Sequence, residues 1–257
     1  MIKKILNISL FMCLACAASA QSPVDVRKLG VISSEQAHNT VWENKLYRQV
    51  EFLSDSLCGG RATGTRGSTE AAFWIARRFG QLGLLPFSGQ YTKHFYGPFG
   101  RNMIGMIPGN SRGKNDSYVL VLAHYDGLGT LNGKLYPGAD SNASGVVAMV
   151  SIAEMFSAMR LLGRAYDTNV IFAAVDAKSS SMKGSRALWD MMEKERLIDP
   201  VTGNVISADR IRMVVNIDQI GGTSSRLKSG REDFIIMLGR DEVGKKYADH
   251  VGALEKI

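Results

Sequence analysis

Four near-continuous apolar runs are the feature that most limits what this chain can fold into. They cover residues 118–123, 169–175, 212–217 and 234–238. Unbroken apolar runs, unlike alternating ones, are typical of strands that are covered on both faces. Helical patterns lie between several of them, at residues 143–161 and 185–197. The alternation of strand and helix predicts an α/β fold, a three-layer αβα sandwich around a mostly parallel central sheet.

The segments before the first run are predicted to add two helices, a loop and two short strands. Apolar residues from Val41 to Leu53 recur at helical spacing, and a second helical face runs over residues 71–82. Between them, the Gly- and Thr-rich residues 58–67 predict a loop, and strands are expected at 92–96 and 101–107. No repeat or linker divides the chain, so residues 41–257 are predicted to form a single domain after an irregular leader at 21–40.

The first twenty residues have the pattern of a signal peptide. Lys3 and Lys4 form a basic start, an apolar stretch follows, and Ala-Ser-Ala precedes Gln21 as in a signal-peptidase site. The protein is therefore expected to be exported to the periplasm or the extracellular space. Lipidation at Cys16 is the less favoured alternative, because Cys13 stands where a lipoprotein signal prefers Leu.

Composition excludes several other classes. After removal of the signal, Cys58 has no partner, so no disulfide is expected to stabilise the domain. The formal charge of +7 comes from basic residues scattered along the chain, which favours a solvated surface over a nucleic-acid partner. No segment after the signal is predicted to span a membrane.

Polar residues follow three of the apolar runs where parallel strands would end. His124 and Asp126 follow the first run, Asp176 and Lys178 the second, and Asp218 the third. Ligands in open α/β sheets bind beyond the carboxyl ends of the strands. Imidazole nitrogen and carboxylate oxygen suit zinc, so the strand ends predict a metal site or the vestige of one.

Several ordered motifs extend this pattern from about Val50 to Gly222. They are EFLSD, GRATGTRG, AHYDGLG around His124, PGADSNASGVVA at 137–148, VIFAAVDAKSSSMKGSRAL at 170–188, and NIDQIG at 216–221. In these motifs the chain resembles the secreted zinc aminopeptidases of metallopeptidase family twenty-eight, which share their fold with animal glutaminyl cyclases. The resemblance implies a site at which five side chains hold two zinc ions that share a hydroxide.

Three positions match that site. By resemblance, His124 would be a metal ligand, Asp126 would orient its ring from behind, and Asp218 would bind one metal.

The other positions depart from the family pattern. Ser141 stands where an Asp bridges both metals, and a neutral hydroxyl cannot offset the repulsion between two dications. The neighbouring Asp140 is expected to point elsewhere. Lys178 stands at the position of the general base, and Ser179 at that of a further ligand. A protonated Lys cannot accept a proton from metal-bound water, and its charge opposes metal binding.

The fifth ligand in the family is a His well after Asp218. The only His downstream is His250, in a stretch at 242–256 that reads as a surface helix. Residues 219–257 are also expected to be too few for the family's last strand and helix. Zinc is therefore expected to be absent or weakly bound. The remaining possibility is a single, loosely held ion bound by His124 and Asp218, with or without Asp140 as a third ligand.

These observations predict an exported aminopeptidase-like domain that is catalytically inactive and keeps a cleft for peptide or protein N-termini. The alternative is an active zinc aminopeptidase or glutaminyl cyclase with substitute ligands, for which Asp140, Asp176 and Glu195 are the acidic candidates. A third reading is serine acyl-transfer chemistry, from S-x-x-K at 180–183 and K-S-G at 228–230. It is disfavoured because the S-x-N element is missing.

Overall fold

A computed structural model describes residues 34–95, 99–110, 116–164 and 166–222, with side chains described from residue 42. The helices are α1 (Ser34–Ser54), α2 (Arg66–Gln81), α3 (Gly145–Leu161) and α4 (Lys183–Glu193). The strands are β1 (Leu85–Pro86), β2 (Thr92–Phe95), β3 (Gly100–Ile107), β4 (Tyr118–His124), β5 (Gly129–Leu131), β6 (Lys134–Tyr136), β7 (Asn169–Val175) and β8 (Ile211–Asn216). The predicted signal peptide, the run at 234–238 and His250 lie outside the described residues.

The chain divides into an N-terminal unit that ends at Tyr47 and a second unit that begins at Arg48. The first unit contains the beginning of α1. The second contains the rest of α1 and all the other elements described, and it holds the sheet and the candidate site.

The central sheet has the strand order β1-β3-β7-β4-β8, and β2 also pairs with β3. β4 runs parallel to both β7 and β8, whereas β3 is antiparallel to β7 and to the two short strands β1 and β2. The three parallel strands are those predicted from the apolar runs, and the predicted α/β class is confirmed. The antiparallel strands widen the sheet on one side, which makes it mixed overall.

Burial of the strands agrees with the sequence pattern in the middle of the sheet and departs from it at β8. All seven residues of β7 are buried, as expected for a strand covered on both faces. In β8 partly buried residues alternate with exposed ones, and Val214 is exposed. The prediction that this run is covered on both faces is wrong for the described structure, in which β8 packs through one face.

Helix α3 packs on the sheet through a face that includes Val146, Val150 and Ala153, all fully buried. By length and composition alone, the stretch Ala139–Leu161 would be able to cross a membrane. Its contacts with β3, β4 and β7 are those of a helix in the core of a domain. The sequence-based expectation overlooked the apolar character of this helix.

The segment predicted as a loop at 58–67 is more structured than expected. Ser56–Arg61 forms 3-10 turns, in which Gly59 and Gly60 have positive φ. A Cβ on Gly60 would lie 2.4 Å from the carbonyl oxygen of Tyr136, so the hairpin β5-β6 packs directly on this backbone. Helix α2 then begins at Arg66, earlier than predicted, because the Thr65 hydroxyl accepts a hydrogen bond from the Ser68 N–H and caps it.

A single buried side chain, Arg61, connects this segment to the rest of the domain. Its guanidinium is fully buried and donates only to backbone carbonyls in the described contacts. The acceptors are Leu53 near the end of α1, Tyr125 after β4 (2.8 Å), Pro137 (2.8 Å), Gly138 (2.8 Å) and, at 3.5 Å, Ser141. Arg61 therefore fixes the backbone on which the candidate site is built.

Replacing Arg61 with Met is expected to lower the free energy of unfolding by about 3 kcal/mol or more, because several buried carbonyls lose their donors. Urea unfolding followed by circular dichroism measures the change. Arg66→Met is the matched control, since that side chain is 85% exposed and its ion pair among the described residues is with Glu70. It should change stability by less than about 0.5 kcal/mol. Equal losses in the two variants would contradict the assigned role.

Candidate functional site

The carboxyl ends of the three parallel strands bring the predicted site residues to one edge of the sheet. His124 is the last residue of β4 and is paired in register with Val175 at the end of β7. Lys178 follows β7 in the next turn, and Asp218 follows β8. The sheet therefore places side chains from three separate parts of the chain within contact distance.

His124, Lys178 and Asp218 form a compact group, here called the strand-end cluster. The Lys178 Nζ lies 2.6 Å from Asp218 Oδ2 and 3.2 Å from His124 Nε2. His124 Nε2 is also 3.1 Å from Asp218 Oδ1. The His124 side chain is only 7% exposed, whereas those of Asp218 and Lys178 are 29% and 40% exposed. The cluster is thus buried on the His124 side and open to solvent on the Lys178 side.

Asp126 contacts both His124 and the turn that carries Lys178. His124 Nδ1 lies 3.1 Å from the Asp126 backbone oxygen and 3.4 Å from its Oδ1. A neutral ring with its proton on Nδ1 donates to that carbonyl and leaves Nε2 to accept from Lys178. The Asp126 carboxylate accepts from the N–H of Lys178 (3.0 Å), the N–H of Ser179 (3.2 Å) and the Ser179 hydroxyl (2.9 Å). It therefore binds the turn after β7 to the end of β4, with the Ser179 hydroxyl directed at Asp126.

Burial alone would raise the pKa of Asp126. The hydrogen bonds from His124, Lys178 and Ser179 outweigh this effect and bring the pKa below its ordinary value of 3.8. Asp126 is therefore a carboxylate whose ionised form is stabilised by the fold.

The turn Ala139–Ser144 closes the site on the side of α3. The Asn142 side chain is fully buried and donates to the carbonyls of His124 (3.2 Å) and Ile217 (2.9 Å). Its oxygen accepts from the N–H of Gln219 (3.0 Å) and of Gly145 (3.2 Å). Asn142 thus joins the ends of β4 and β8 to the start of α3.

The two neighbours of Asn142 that the sequence analysis singled out face other partners. Asp140 Oδ1 accepts from the N–H of Gly221 at 2.8 Å, with the Ser144 hydroxyl 3.4 Å away. Ser141 accepts a hydrogen bond from the Arg61 guanidinium through its backbone oxygen. Asp140 thus holds the loop that follows Asp218.

Asp176 forms a separate buried network. Its carboxylate accepts from the hydroxyls of Thr63 (2.7 Å) and Tyr125 (3.2 Å) and from the N–H groups of Arg101 (3.2 Å) and Ala177 (2.7 Å). Burial raises the pKa of Asp176, although the bonds from Thr63 and the backbone oppose the shift. The carboxylate connects the segment after Arg61 to the start of β3 and the end of β7.

The remaining sequence candidates lie outside the cluster. Glu195 is exposed in the turn after α4, and Ser180 is exposed in the turn before that helix. Lys228 and Gly230 fall outside the described residues.

Sequence reasoning overlooked the roles of Arg61 and Asn142. Both residues stand inside motifs that were identified, GRATGTRG and GADSNASG. A charged or amide side chain within a glycine-rich motif was the available signal, since such a side chain often satisfies the surrounding backbone.

The donors that the described residues offer at this cluster do not fit a zinc ion. Only His124 and Asp218 offer metal-ligating atoms in the strand-end cluster, and the third member is an ammonium paired with both. Within the described ranges, no three His, Cys, Asp or Glu side chains form a group that could hold a metal. Structural and catalytic zinc sites use three or four protein ligands, so this cluster lacks the coordination that zinc needs.

A surface cavity of about 380 Å³ lies elsewhere, between β2 and α4. Its lining includes Lys93, His94, Met191 and Arg196, and shares no residue with the strand-end cluster. Arg196 is paired there with Asp190, and the Lys93 amine donates to the carbonyl of Phe87.

The sequence model of peptidase family M28 matches residues 102–253, more than half of the chain. The chain belongs to this family of peptidases, as the motifs predicted. A search of the curated proteins finds no match.

Solved structures share the fold at low sequence identity. Legionella pneumophila LapB is 20% identical, with a TM-score of 0.53 over 68% of this chain and 43% of that one. LapA of the same organism, elsewhere described as an aminopeptidase, is 17% identical, with a TM-score of 0.52 over 76% and 49% of the two chains. A glutaminyl cyclase from Macrostomum lignano is 16% identical, with a TM-score of 0.54 over 89% and 65%. The chain spans about half the length of the two Legionella proteins, and these likenesses show the fold alone.

The lowered pKa of Asp126 gives a prediction with a definite sign. Its ionised form stabilises the fold fully above pH 3.8, and this stabilisation is lost as the pH falls through the folded-state pKa. Asp126→Asn is expected to lower the free energy of unfolding by about 1–3 kcal/mol at pH 7. The difference from the wild type should shrink at acid pH, where the wild-type carboxyl is protonated.

Urea unfolding at a series of pH values from 7 down to 2.5 measures this difference. Asp167→Asn, at an exposed position, is the control and should stay close to the wild type throughout. A difference for Asp126→Asn that is independent of pH would contradict the assignment.

Proposed function

We propose that the protein is an exported M28-type domain that does not hydrolyse peptides and that binds the N-terminal segments of peptides or proteins at its strand ends. The observation that carries the proposal is the composition of the strand-end cluster. An ammonium, Lys178, occupies the general-base position and is paired with Asp218 and His124. Export is supported by the signal-peptide pattern of residues 1–20.

Two features of the cluster oppose peptide hydrolysis. A base must accept a proton, and the Lys178 ammonium has three N–H donors and no acceptor. Ser179, at a ligand position of the family, is hydrogen-bonded to Asp126 through both its hydroxyl and its N–H. The residues at these two positions therefore neither activate a water molecule nor add a carboxylate to His124 and Asp218.

The surroundings of the cluster suit a short peptide. Each of the three loops that carry the cluster also exposes one large apolar side chain: Leu128 after His124, Met182 after Lys178 and Ile220 after Asp218. A half-exposed ammonium offers a donor for a peptide carbonyl, and the carboxylates of Asp218 and Asp140 offer acceptors for a terminal amine. Apolar contacts around a few polar groups are typical of ligand sites.

The first test is enzymatic. The full chain, purified and supplied with zinc, is expected to release no product from aminoacyl-p-nitroanilides and to cyclise no N-terminal glutamine. A triple variant, Ser141→Asp with Lys178→Glu and Ser179→Glu, restores the family's residues at these three positions. It is expected to bind zinc, because it adds three carboxylates to His124 and Asp218.

Two results decide this test. Turnover by the wild type that disappears in His124→Ala would overturn the proposal of inactivity. Zinc bound by the triple variant and not by the wild type would support it, since the three replacements would then account for the loss.

The second test is binding. The wild type is expected to bind members of a peptide array that have free N-termini and to bind their acetylated counterparts less well. Leu128→Asp with Ile220→Asp should weaken binding by at least about tenfold, because two apolar contacts are lost. Leu162→Asp is the control, as Leu162 is exposed just after the far end of α3, roughly 26 Å along the helix axis from Gly145.

Binding that is indifferent to acetylation, or equal losses in the two charged variants, would contradict an N-terminal peptide as the ligand. Folding of each variant is checked by its thermal midpoint before binding is measured.

A further inference from the structure

We infer that the Lys178 ammonium is the resident cation of the strand-end cluster: it replaces a metal ion as the positive charge that connects the strand ends, and it excludes divalent metals from them. The inference rests on the geometry of His124, Lys178 and Asp218 and is independent of what the cleft binds.

The position of the ammonium is the first argument. The two side chains of the cluster that are able to ligate a metal are His124, through Nε2, and Asp218, through its carboxylate. Lys178 Nζ is within 3.2 Å of the first and 2.6 Å of the second. A zinc ion held here would have to use these same two donors. The ammonium and the ion therefore compete for the same two donors, and their like charges repel each other.

The support of the Lys178 side chain is the second argument. Its backbone N–H is held by Asp126 Oδ1 at 3.0 Å, and its amine is held by Asp218 and His124. Both ends of the residue are thus fixed, which directs the amine back toward the strand ends although the side chain stays partly exposed.

The connections that result are the third argument. One residue links the end of β4, through His124 and Asp126, to the loop after β8, through Asp218. A metal bound by ligands from separate strands makes the same kind of link. In this protein the link is part of the chain, so it needs no ion and a chelator does not remove it.

Three variants test the inference, each compared with the wild type in EDTA and in zinc. Lys178→Met keeps an unbranched side chain one atom shorter than Lys and removes its charge. Lys178→Glu replaces the cation with a carboxylate, which would be the third possible metal ligand beside His124 and Asp218. Lys194→Met is the matched control, because Lys194 also lies 2.6 Å from an Asp, Asp190, but on the surface.

Thermal unfolding, zinc content after dialysis and the visible absorption of added cobalt(II) are measured for all four proteins. The wild type is expected to have the same midpoint in EDTA and in zinc and to retain no metal. Lys178→Met should unfold at least about 4 °C lower than Lys194→Met in EDTA. Lys178→Glu should bind zinc, gain a cobalt absorption band and regain stability with metal, and His124→Ala in that background should abolish all three effects.

Several outcomes would overturn the inference. They are stoichiometric zinc in the wild type that depends on His124, a Lys178→Met midpoint equal to that of Lys194→Met, and a Lys178→Glu protein that stays metal-free. Zinc in a wild type that still lacks turnover and binds peptides would overturn this inference and leave the proposed function standing. Failure to bind peptides, with the metal results as expected, would overturn the proposed function and leave this inference standing.

Discussion

The buried guanidinium of Arg61 is the interaction on which the candidate site depends. Its carbonyl partners belong to the end of α1, the residue after β4 and the turn before α3. Backbone carbonyls brought together in a core must find donors, and an Arg with five N–H groups satisfies several at once. The segments that carry the cluster are thereby held in place by the protein itself, and none of these contacts requires a ligand or an ion.

Asp126 and Asn142 continue this arrangement closer to the strand ends. Asp126 joins the turn after β7 to the end of β4, and Asn142 joins the ends of β4 and β8 to α3. Both side chains are buried and act mainly on backbone groups. The scaffold of the site is therefore physically separate from the positions that carry chemistry, and this separation explains how an M28 fold can accommodate Lys178 and Ser179 without loss of its architecture.

The sequence predicted the parts of the molecule that depend on local pattern. The apolar runs placed β4 and β7 correctly, and the motifs placed His124 and Asp218 at neighbouring strand ends. Two features could not be predicted from the sequence. Among the described residues β8 is the last strand of the sheet, and its one-sided packing depends on what covers it, which apolar content does not report. The position of the Lys178 amine depends on the hydrogen bond from its backbone N–H to Asp126, a residue distant in sequence. Residue type alone therefore predicted a cation near the site but did not predict its partners.

The replacements in the family motifs are physically connected. With neither a metal ion nor the Lys178 ammonium, the Asp218 carboxylate would lie beside a buried imidazole with no cation to balance its charge. That arrangement is unfavourable in a partly desolvated site. Lys178 supplies that cation from the turn after β7. Ser179 then no longer needs to face the cluster, and its hydroxyl instead helps Asp126 to hold the turn from which Lys178 extends. Lys178 and Ser179 thus both stabilise the strand ends, so the turn after β7 forms a consistent structure in its own right.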